Sequence, residues 1–405
     1  MAATDPHAQR PAYDGITVLD LSHVLLGPYC TLLMSRLGAD VIKIEPPGGD
    51  PLRTYRTPSG AETASVSLFN AGKRGMRLDL KKEAGREIFL RLLDGADVVV
   101  ENFGPNTLTR LGLDYEVLAD RNPRIILASG RGYGAEGPYR NFLAMDLVIQ
   151  AVTGVLTTTG FPENPPVKAG VPIADMTAGI HLMAGVAAAL FQRTQTGMGQ
   201  HVVVSMHDSL VPTLSSPLAS WLDSGGTQPE RTGNRHSGLA VAPYNVYAAA
   251  DGWIAILSLT DGHWRSLCEV MGTPDLGNRP GFVTNRERAD RIDEVDDIVS
   301  NWTSHRSKRD LFALLGEAGV PAAPVLNLGE VIDDPQVRAQ AMLQEIETSG
   351  GESALTFGNP LRLSASPPVP VAPAPGIGSD SEELLIEKLG LSLAEIKELS
   401  DSGVI

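Results

Sequence analysis

The stretch GITVLDLSHVLLGPYCTLLMSRLGADVIKIE, residues 15–45, contains the pattern that decides the fold. ITVLDL (16–21) and DVIKIE (40–45) are short apolar runs that are typical of buried strands. GPYCTLLMSRLG lies between them, with Pro28 near a helix start and Gly38 just after its end. A strand, a helix and a second strand in this order predict a parallel β-α-β unit.

The same alternation continues through the N-terminal half of the chain. KKEAGREIFLRLLDGA (81–96) carries a helical apolar face, and DVVVEN (97–102) and RIILASG (124–130) are further strand-like runs. Together these segments predict an α/β fold with a parallel, doubly wound sheet. The turn after the first strand is SHVLLGP and not GxGxxG, which disfavours a dinucleotide-dependent dehydrogenase.

The character of the chain changes near Ser224. SGGTQPERTGNRHSG (224–238) is polar and glycine-rich, as loops are, and YNVYAAADGWIAILSL (244–259) predicts a hairpin around Asp251 and Gly252. Helical patterns follow at 261–272, 288–304 and 308–319. We therefore expect a second, smaller α+β domain that begins at residue 224.

The net charge, the cysteines, the N-terminus and one apolar segment each disfavour particular classes of protein. A formal net charge of −15 disfavours a general nucleic-acid or anionic-membrane partner, while a local basic site for a small anion remains compatible with it. The two cysteines form no CxxC pair, and the N-terminus lacks the pattern of a secretory leader, so we expect a cytoplasmic protein. Residues 173–191 are apolar but interrupted by Asp175, Thr177 and His181, which predicts a buried helix and no membrane span.

Asp175 is the one acidic residue in the segment AGVPIADMTAGIHLMAGVAAALFQRTQTGMGQ (169–200). One interpretation makes it the N-cap of the following helix, a structural role that needs no further function. The other makes it a functional carboxylate at the sheet edge where ligands bind, kept ionised by the first-turn amides and able to attack a thioester. The residue pattern alone does not choose between them.

Other candidate sites have weaker patterns. Residues 70–86, NAGKRGMRLDLKKEAGR, hold six basic side chains and two acidic ones, which suits a phosphorylated ligand or a solvated helix face equally well. The histidines, among them His23, His181, His236 and His263, show no metal-ligand spacing, so we expect no metal site. No GxSxG motif occurs, and neither cysteine has a catalytic signature.

Four longer motifs carry a resemblance to a known family. The HVxxGP, LGADVIKIE, VENFGP and D-x-x-x-G patterns, at residues 23–28, 37–45, 100–105 and 175–179, together resemble the family III CoA-transferases. These include formyl-CoA transferase, carnitine CoA-transferase and succinyl-CoA:glutarate CoA-transferase, and an alpha-methylacyl-CoA racemase is a relative. The likeness extends to LGLSLAEIKELSDSGVI (389–405) and so covers nearly the whole chain.

The resemblance implies a fold and an assembly. It implies a Rossmann-like large domain built from residues 1–223 and 326–405, with the smaller α+β domain at residues 224–325. It further implies an interlocked homodimer in which each chain threads through its partner, with the site between the two subunits.

The resemblance also implies the chemistry. An acyl-CoA and a carboxylic acid are the implied substrates, CoA enters as a thioester and not as a permanent cofactor, and succinyl-CoA is a common donor. Asp175 matches the family's catalytic aspartate, which forms an acyl anhydride and then a CoA thioester, and Asp146 matches an acidic residue near the thioester. The implied CoA contacts are Val24, Leu25, Leu26, Leu78, Lys81, Asn102, Phe103, Gly104 and Arg110. A mobile glycine loop matches Gly233, His236 and Gly238.

Three departures from the family pattern bear on function. Met145 stands where the racemase relatives place a histidine, and a thioether cannot transfer a proton, so transfer is favoured over racemisation. Leu25 stands where oxalate-using members place a glutamine, which favours a larger or less polar acid. Pro46 replaces an arginine that meets the CoA nucleotide. The alternatives to a CoA-transferase are a racemase-like enzyme and a catalytically silent CoA-binding protein.

Overall fold

The computed structural model describes residues 9–55, 63–348 and 351–405. The strands of this part are β1 (Thr17–Asp20), β2 (Asp40–Glu45), β3 (Arg74–Arg77), β4 (Val98–Glu101), β5 (Ile126–Arg131), β6 (His201–Ser205), β7 (Tyr244–Ala249), β8 (Gly252–Leu257), β9 (Ala322–Pro324), β10 (Leu343–Glu347) and β11 (Ser353–Phe357).

The α-helices of this part are α1 (Leu26–Arg36), α2 (Ala64–Asn70), α3 (Glu83–Leu93), α4 (Thr107–Leu111), α5 (Tyr115–Arg121), α6 (Asp146–Val152), α7 (Val155–Thr158), α8 (Ile173–Thr196), α9 (Met206–Leu210), α10 (Ser215–Asp223), α11 (Asp261–Val270), α12 (Asn285–Ala289), α13 (Ile292–Thr303), α14 (Lys308–Glu317), α15 (Leu328–Ile332), α16 (Pro335–Ala339), α17 (Ser381–Leu389) and α18 (Leu393–Asp401). Short 3-10 helices span Pro51–Thr54, Val211–Leu214, Ser237–Leu239 and Pro274–Asn278.

The largest sheet has six strands in the order β3-β2-β1-β4-β5-β6. Every neighbouring pair is parallel, with Val18 opposite both Val41 and Val98 at the centre. This is the doubly wound order, and the connection reverses direction between β1 and β4, where a crevice opens at the carboxyl ends of the strands. The α/β fold and the parallel sheet predicted from the sequence are confirmed. β3 and β6 are additional strands that the sequence patterns did not identify.

The described residues form two compact units. The first contains the residues up to Ile149, Val171–Leu210 and Pro335–Ile405, and the second contains Gln150–Gly170 and Val211–Asp334. These bounds differ from the predicted domain boundaries, which lie between residues 223 and 224 and between residues 325 and 326. The latter stay a prediction.

The first unit has its core on the large sheet. The buried side chains include those of Leu19, Ile42, Val99 and Leu127 from the strands, and helices α3 and α17 add apolar residues on the same face. The proline-rich segment before α17 runs extended along this unit, where the Gly72 N–H donates to the Ala372 carbonyl at 2.8 Å. Both ends of the chain therefore contribute to one core.

Helix α8 packs against α1 in this unit. Its buried face contains Ala174, Ala178, Leu182 and Val186, which recur at helical spacing. Gly179 makes the close approach possible, because a Cβ there would lie 2.8 Å from the Leu26 carbonyl oxygen. The contact brings the start of α8 beside the turn that precedes α1.

The other face of α8 is exposed within this chain, with Ile180 at 50% and Phe191 at 68% of full exposure. The helix expected to be buried is thus buried along one side only, since the α1 contact covers a single stripe. By length and composition alone, α8 is apolar enough to cross a membrane. That is weak evidence, because core helices of soluble proteins satisfy the same criterion.

The second unit is built on a three-stranded antiparallel sheet, β7-β8-β9. β7 and β8 form the predicted hairpin, with Ala249 opposite Gly252. Trp264 from α11, Val299 from α13 and Leu311 from α14 pack on it. The second unit is thus a small α+β unit. β10 and β11 form a separate antiparallel pair within the first unit.

Candidate active site

Two cavities open at the carboxyl edge of the six-stranded sheet, on either side of the β1/β4 crevice. The first, which we call the first cleft, has a volume of about 320 Å³. Its lining residues lie at the end of β5, in the segments that follow β1, β4, β5 and β6, or in the first turns of α1 and α8: His23, Val24, Leu26, Asn102, Phe103, Gly104, Pro105, Gly130, Arg131, Gly132, Tyr133, Gly134, Arg140, Phe142, Leu143, Ala144, Met145, Asp175 and Met206. This edge is where open α/β sheets bind ligands.

Asp175 lies in the first turn of α8 and lines the first cleft. The helix begins at Ile173, and its N-cap is Pro172, whose side chain makes no cap hydrogen bond. Asp175 is therefore the third helical residue, and the interpretation of it as an N-cap is wrong. Its carboxyl group faces a cleft that a ligand can enter, so the functional interpretation gains weight.

Asp146 performs part of the capping that Asp175 does not. Its Oδ1 accepts a hydrogen bond of 2.8 Å from the backbone N–H of Ala174. This bond satisfies one of the free amides at the start of α8 and fixes Asp146 beside Asp175. The structure thereby brings the two predicted acidic residues together.

Burial and the neighbouring charge of Asp146 raise the pKa of Asp175 to about 7. Both causes disfavour a second negative charge in a partly desolvated cleft. The sequence predicted a carboxyl group that the helix N-terminus keeps ionised, whereas a pKa of about 7 leaves Asp175 partly protonated at neutral pH, because burial and Asp146 both disfavour its charge. Carboxyl groups with strongly raised pKa values in clefts are characteristic of functional sites.

The turn after β1 forms a second wall of the first cleft, and its backbone is strained. Val24 has a φ of +64°, which is unusual for a β-branched residue. Two reciprocal bonds of 2.8 Å hold the residue before it: the His23 N–H donates to Asn102 Oδ1, and Asn102 Nδ2 donates to the His23 carbonyl. The Val24 N–H donates to Asp50 Oδ1 at 3.2 Å. Asn102 therefore positions the turn with its side chain.

Two buried ion pairs stabilise this turn. Asp50 accepts a hydrogen bond from Lys43 Nζ at 3.0 Å, and both side chains are almost fully buried. Lys73 pairs in the same way with Asp20 at 3.0 Å. Burial alone would raise the pKa of Asp20, but Lys73 and Lys43, together with hydrogen bonds from two neighbouring hydroxyl groups, lower that pKa to about 2. The pairs fix the segment on which Val24 is held.

A second cavity of about 290 Å³ lies across the crevice and shares His23 and Phe103 with the first cleft. Besides Phe103, two more of the predicted CoA contacts, Leu78 and Lys81, line it, and so does Pro46. Val24, Leu26, Asn102, Phe103 and Gly104, also predicted CoA contacts, line the first cleft. The predicted CoA residues thus fall into two neighbouring cavities.

The basic segment 70–86 does not form a single phosphate site. Lys73 is buried with Asp20, Arg74 pairs with Asp40 at 2.7 Å, and Lys82 donates to the carbonyl of Gly403. Lys81 is the member that lines the second cavity. Arg74 and Arg77 are three residues apart on β3 and therefore face opposite sides of the sheet, while Lys82 lies beyond the strand at the start of α3.

Two predicted CoA contacts line neither cavity. Leu25 precedes α1 and does not line the first cleft. That it favours a larger or less polar acid than oxalate therefore stays a prediction. Arg110 is exposed on α4, where Nη2 donates to Thr107 Oγ1 at 2.8 Å. Thr107 lines the second cavity, so Arg110 lies next to its rim.

The predicted glycine loop belongs to the second unit. Gly233 and Gly238 both have positive φ values, +64° and +76°, that favour glycine. Between them, Arg235 Nε donates to Asp296 Oδ2 at 2.8 Å and anchors the centre of the loop on α13. The third predicted residue, His236, contacts the ring of Tyr244 edge-on at 5.5 Å.

The wall that follows β5 was not predicted from the sequence. It lines the first cleft with Tyr133, Arg140, Phe142, Leu143 and Met145, of which Met145 alone was a predicted site position. Tyr133 and Phe142 meet edge-on with ring centroids 6.4 Å apart. The signal was the dense run of aromatic and basic residues in RGYGAEGPYRNFLAMD (131–146), which lies directly after a strand. Within the described residues no cluster of metal-ligating side chains occurs.

Comparison with known proteins gives consistent matches over at least nine-tenths of the chain. The model of "CoA-transferase family III" matches residues 13–381. An acetyl-CoA:oxalate CoA-transferase from Acetobacter aceti is 39% identical over 366 residues, 90% of this chain and 92% of the relative. A succinyl-CoA:mesaconate CoA-transferase from Haloarcula hispanica is 38% identical over 390 residues, 93% of this chain and 96% of the relative. The crystal structure of a CAIB/BAIF family protein from Brucella suis matches with a TM-score of 0.82 and 33% identity, covering 94% of this chain and 100% of that one.

Proposed function

This chain belongs to CoA-transferase family III, and we propose that Asp175 is the nucleophile of its reaction. As a CoA-transferase, the protein uses CoA thioesters as substrates. The observation that carries the proposal is the position of Asp175. Its carboxyl group lines the first cleft from the first turn of α8 and does not cap that helix.

The proposed reaction has four acyl-transfer steps. The Asp175 carboxylate attacks the thioester carbonyl of the donor, the CoA thiolate leaves, and a mixed anhydride forms. The thiolate attacks the aspartyl carbonyl of that anhydride, which releases the donor acid and leaves an aspartyl-CoA thioester. The acceptor carboxylate attacks the aspartyl carbonyl and expels the thiolate. The thiolate then attacks the acceptor's acyl carbonyl, which gives the new acyl-CoA and restores the Asp175 carboxylate.

Each step exchanges one activated acyl bond for another, so no external energy source is needed. We propose succinyl-CoA as the donor, since the relative from Haloarcula hispanica carries that donor in its name. A larger or less polar acid than oxalate is proposed as acceptor, on the ground of Leu25. The oxalate named for the Acetobacter aceti relative belongs in the same test panel.

The CoA moiety is assigned to both cavities. Val24, Leu26, Asn102, Phe103 and Gly104 would hold the thioester arm, because they line the cleft that contains Asp175. Leu78 and Lys81 in the second cavity would hold the nucleotide end, with Arg110 at its rim and Leu25 beside the turn. Backbone amides of the two turns are the candidates for stabilising the developing oxyanion.

Asp146 has a supporting part in this scheme. It holds the first turn of α8 through the Ala174 N–H and helps to raise the pKa of Asp175. A carboxyl group with a pKa near neutrality is a weaker leaving group than an ordinary aspartate but a better nucleophile once ionised. We therefore propose that Asp146 tunes Asp175.

An interlocked homodimer in the cytoplasm is the proposed assembly. Exposed apolar side chains on α8, such as Ile180 and Phe191, are the kind of surface that a partner subunit covers. Light scattering of the purified protein should give twice the chain mass of 43.0 kDa, and a monomer would contradict the proposal.

Mass spectrometry of the intact protein tests the covalent route. The protein is incubated with a panel of acyl-CoAs that includes succinyl-CoA and is quenched with hydroxylamine, which converts an aspartyl anhydride or thioester into a hydroxamate. The expected adduct maps to the peptide that contains Asp175 and is absent from Asp175→Asn. The matched control, Asp297→Asn on the exposed face of α13, should give the wild-type adduct.

The racemase alternative is measured in the same samples. Exchange of the α-proton in deuterated water, without an aspartyl adduct, would favour the racemase-like reaction over the proposed transferase mechanism. The presence of Met145 in the first cleft, where a proton-transferring group would be needed, argues against that outcome.

A further inference from the structure

The wall of the first cleft that follows β5 combines apolar side chains with one arginine. Phe142 and Leu143 are largely exposed, at 57% and 82%, and both line the cleft beside Met145. Arg140 lines the same cleft from the same segment. An apolar surface next to a guanidinium suits a ligand with a short hydrocarbon chain and a carboxylate.

Arg140 is the basic side chain of this cleft that has no acidic partner among the residues that the structure describes. Arg131, the other arginine of the lining, pairs with the buried Glu101 at 2.9 Å and donates to the Phe103 carbonyl at 3.1 Å. Burial lowers the pKa of His23, which keeps that ring neutral at physiological pH. The charge that a bound anion would meet on this wall is therefore that of Arg140.

The sheet topology places Asp175 and Lys81, the proposed contact of the CoA nucleotide end, in different cavities. The first cleft is built from residues after β1, β4, β5 and β6, whereas the second cavity is built largely from residues after β1, β2 and β3. Lys81 lies in the second cavity, and Asp175 lies in the first cleft. Because the reacting carbonyl must reach Asp175, the first cleft, which includes the wall after β5, is the space open to the rest of the acyl group.

On this basis, which rests on the proposed function of Asp175, we propose that Arg140 binds the free carboxylate of a dicarboxylic acyl group. The carbon chain of that group would lie on Phe142, Leu143 and Met145. Arginine binds a carboxylate through two parallel hydrogen bonds, which fixes its orientation as well as its position. Arg140 is thereby assigned as the residue that selects dicarboxylic over monocarboxylic substrates.

An exchange reaction tests this assignment without knowledge of the natural acceptor. A CoA-transferase exchanges an acyl-CoA with its own free acid, so labelled succinate should appear in succinyl-CoA and labelled butyrate in butyryl-CoA. Butyrate has the same four-carbon chain with a methyl group in place of the second carboxylate. The initial rates of label incorporation give kcat/KM for each pair, for wild type, Arg140→Gln, Arg140→Lys and the exposed control Arg309→Gln.

We expect wild type to favour succinate by about 10- to 100-fold, because a site built around a charged contact discriminates against a substrate that lacks it. Arg140→Gln should lose succinate exchange by a similar factor and keep butyrate exchange within about twofold. Arg140→Lys should lie between the two, since a lysine keeps the charge but not the two parallel bonds.

Two results would overturn the assignment. Equal losses for both substrates in Arg140→Gln would place Arg140 at the CoA phosphates or in the structure of the wall. A wild-type preference for butyrate would exclude a carboxylate site altogether. Failure of the Asp175 mechanism is a separate result, since it would show as the absence of the hydroxylamine-trapped adduct in wild type with every acyl-CoA.

Discussion

Replacement of Asp175 by asparagine should make the protein more stable while abolishing its activity. The pKa of this carboxyl group is about 7 in the folded protein and 3.8 in an exposed reference state. Between these two pH values the folded protein holds a proton that the unfolded chain has released. Stability therefore falls as the pH rises through this window, and it stays at the lower level above pH 7.

The size of the effect follows from the same two values. A difference of about 3 pKa units corresponds to about 4 kcal/mol at 1.36 kcal/mol per unit. Asp175 keeps some exposure to solvent, so solvent screening makes this an upper bound. Asparagine carries no charge at any pH, so Asp175→Asn should gain up to about 3 kcal/mol at pH 6 and up to about 4 kcal/mol at pH 8.

Thermal unfolding from pH 5.5 to 8.5 measures the gain. The difference in melting temperature between Asp175→Asn and wild type should grow up to pH 7 and level off above it. Asp297→Asn, an exposed replacement of the same kind, should show no such trend. CoA transfer by Asp175→Asn should fall by about 10⁴-fold or more, as for the loss of other catalytic nucleophiles. A pH-independent difference, or a variant less stable than wild type at pH 8, would refute the reasoning.

Further predictions concern the surroundings of Asp175. For wild type, kcat/KM should rise with pH up to about 7 and then level off. Asp146→Asn should shift this rise to lower pH, because it removes the negative charge beside Asp175. An unchanged pH profile would contradict the effect of Asp146 on the pKa of Asp175. Val24→Gly should raise the melting temperature, because glycine relieves about 1 kcal/mol of strain from the left-handed backbone at this residue, and it should raise KM for acyl-CoA. A lower melting temperature would contradict the presence of that strain. Lys73→Met should destabilise the fold by about 3 to 5 kcal/mol in urea unfolding, because Asp20 stays buried without its partner, and the further change Asp20→Asn should recover part of that loss.

The sequence predicted the parts of the fold that depend on local patterns. The apolar runs at residues 16–21 and 40–45 and the helix between them became β1, β2 and α1 of a parallel sheet. The hairpin at β7 and β8 followed from alternating apolar residues on either side of Asp251 and Gly252. Such segments carry their own hydrophobic periodicity, so a short window is enough to recognise them.

β3 and β6 were missed for different reasons. RGMR at β3 lies within a basic segment and has a weak local strand signal, so it is a strand because it pairs with β2. HVVVS at β6 is a β-branched run like DVVVEN, and its composition could have identified it before its pairing with β5 was known.

For the candidate site, the sequence by itself determined the residue types and the order of the elements that carry them. It placed a single carboxylate, Asp175, at the start of an apolar helix and a short turn after each of several parallel strands. Only the tertiary structure decided that Asp175 is not the cap of α8, because Asp146 reaches the free Ala174 amide from another segment. It also decided that Arg140 belongs to the same cleft, since that depends on where β5 lies in the sheet. Charge and periodicity are properties of neighbouring residues, whereas burial and the pKa of a carboxyl group are set by what the folded chain brings around it.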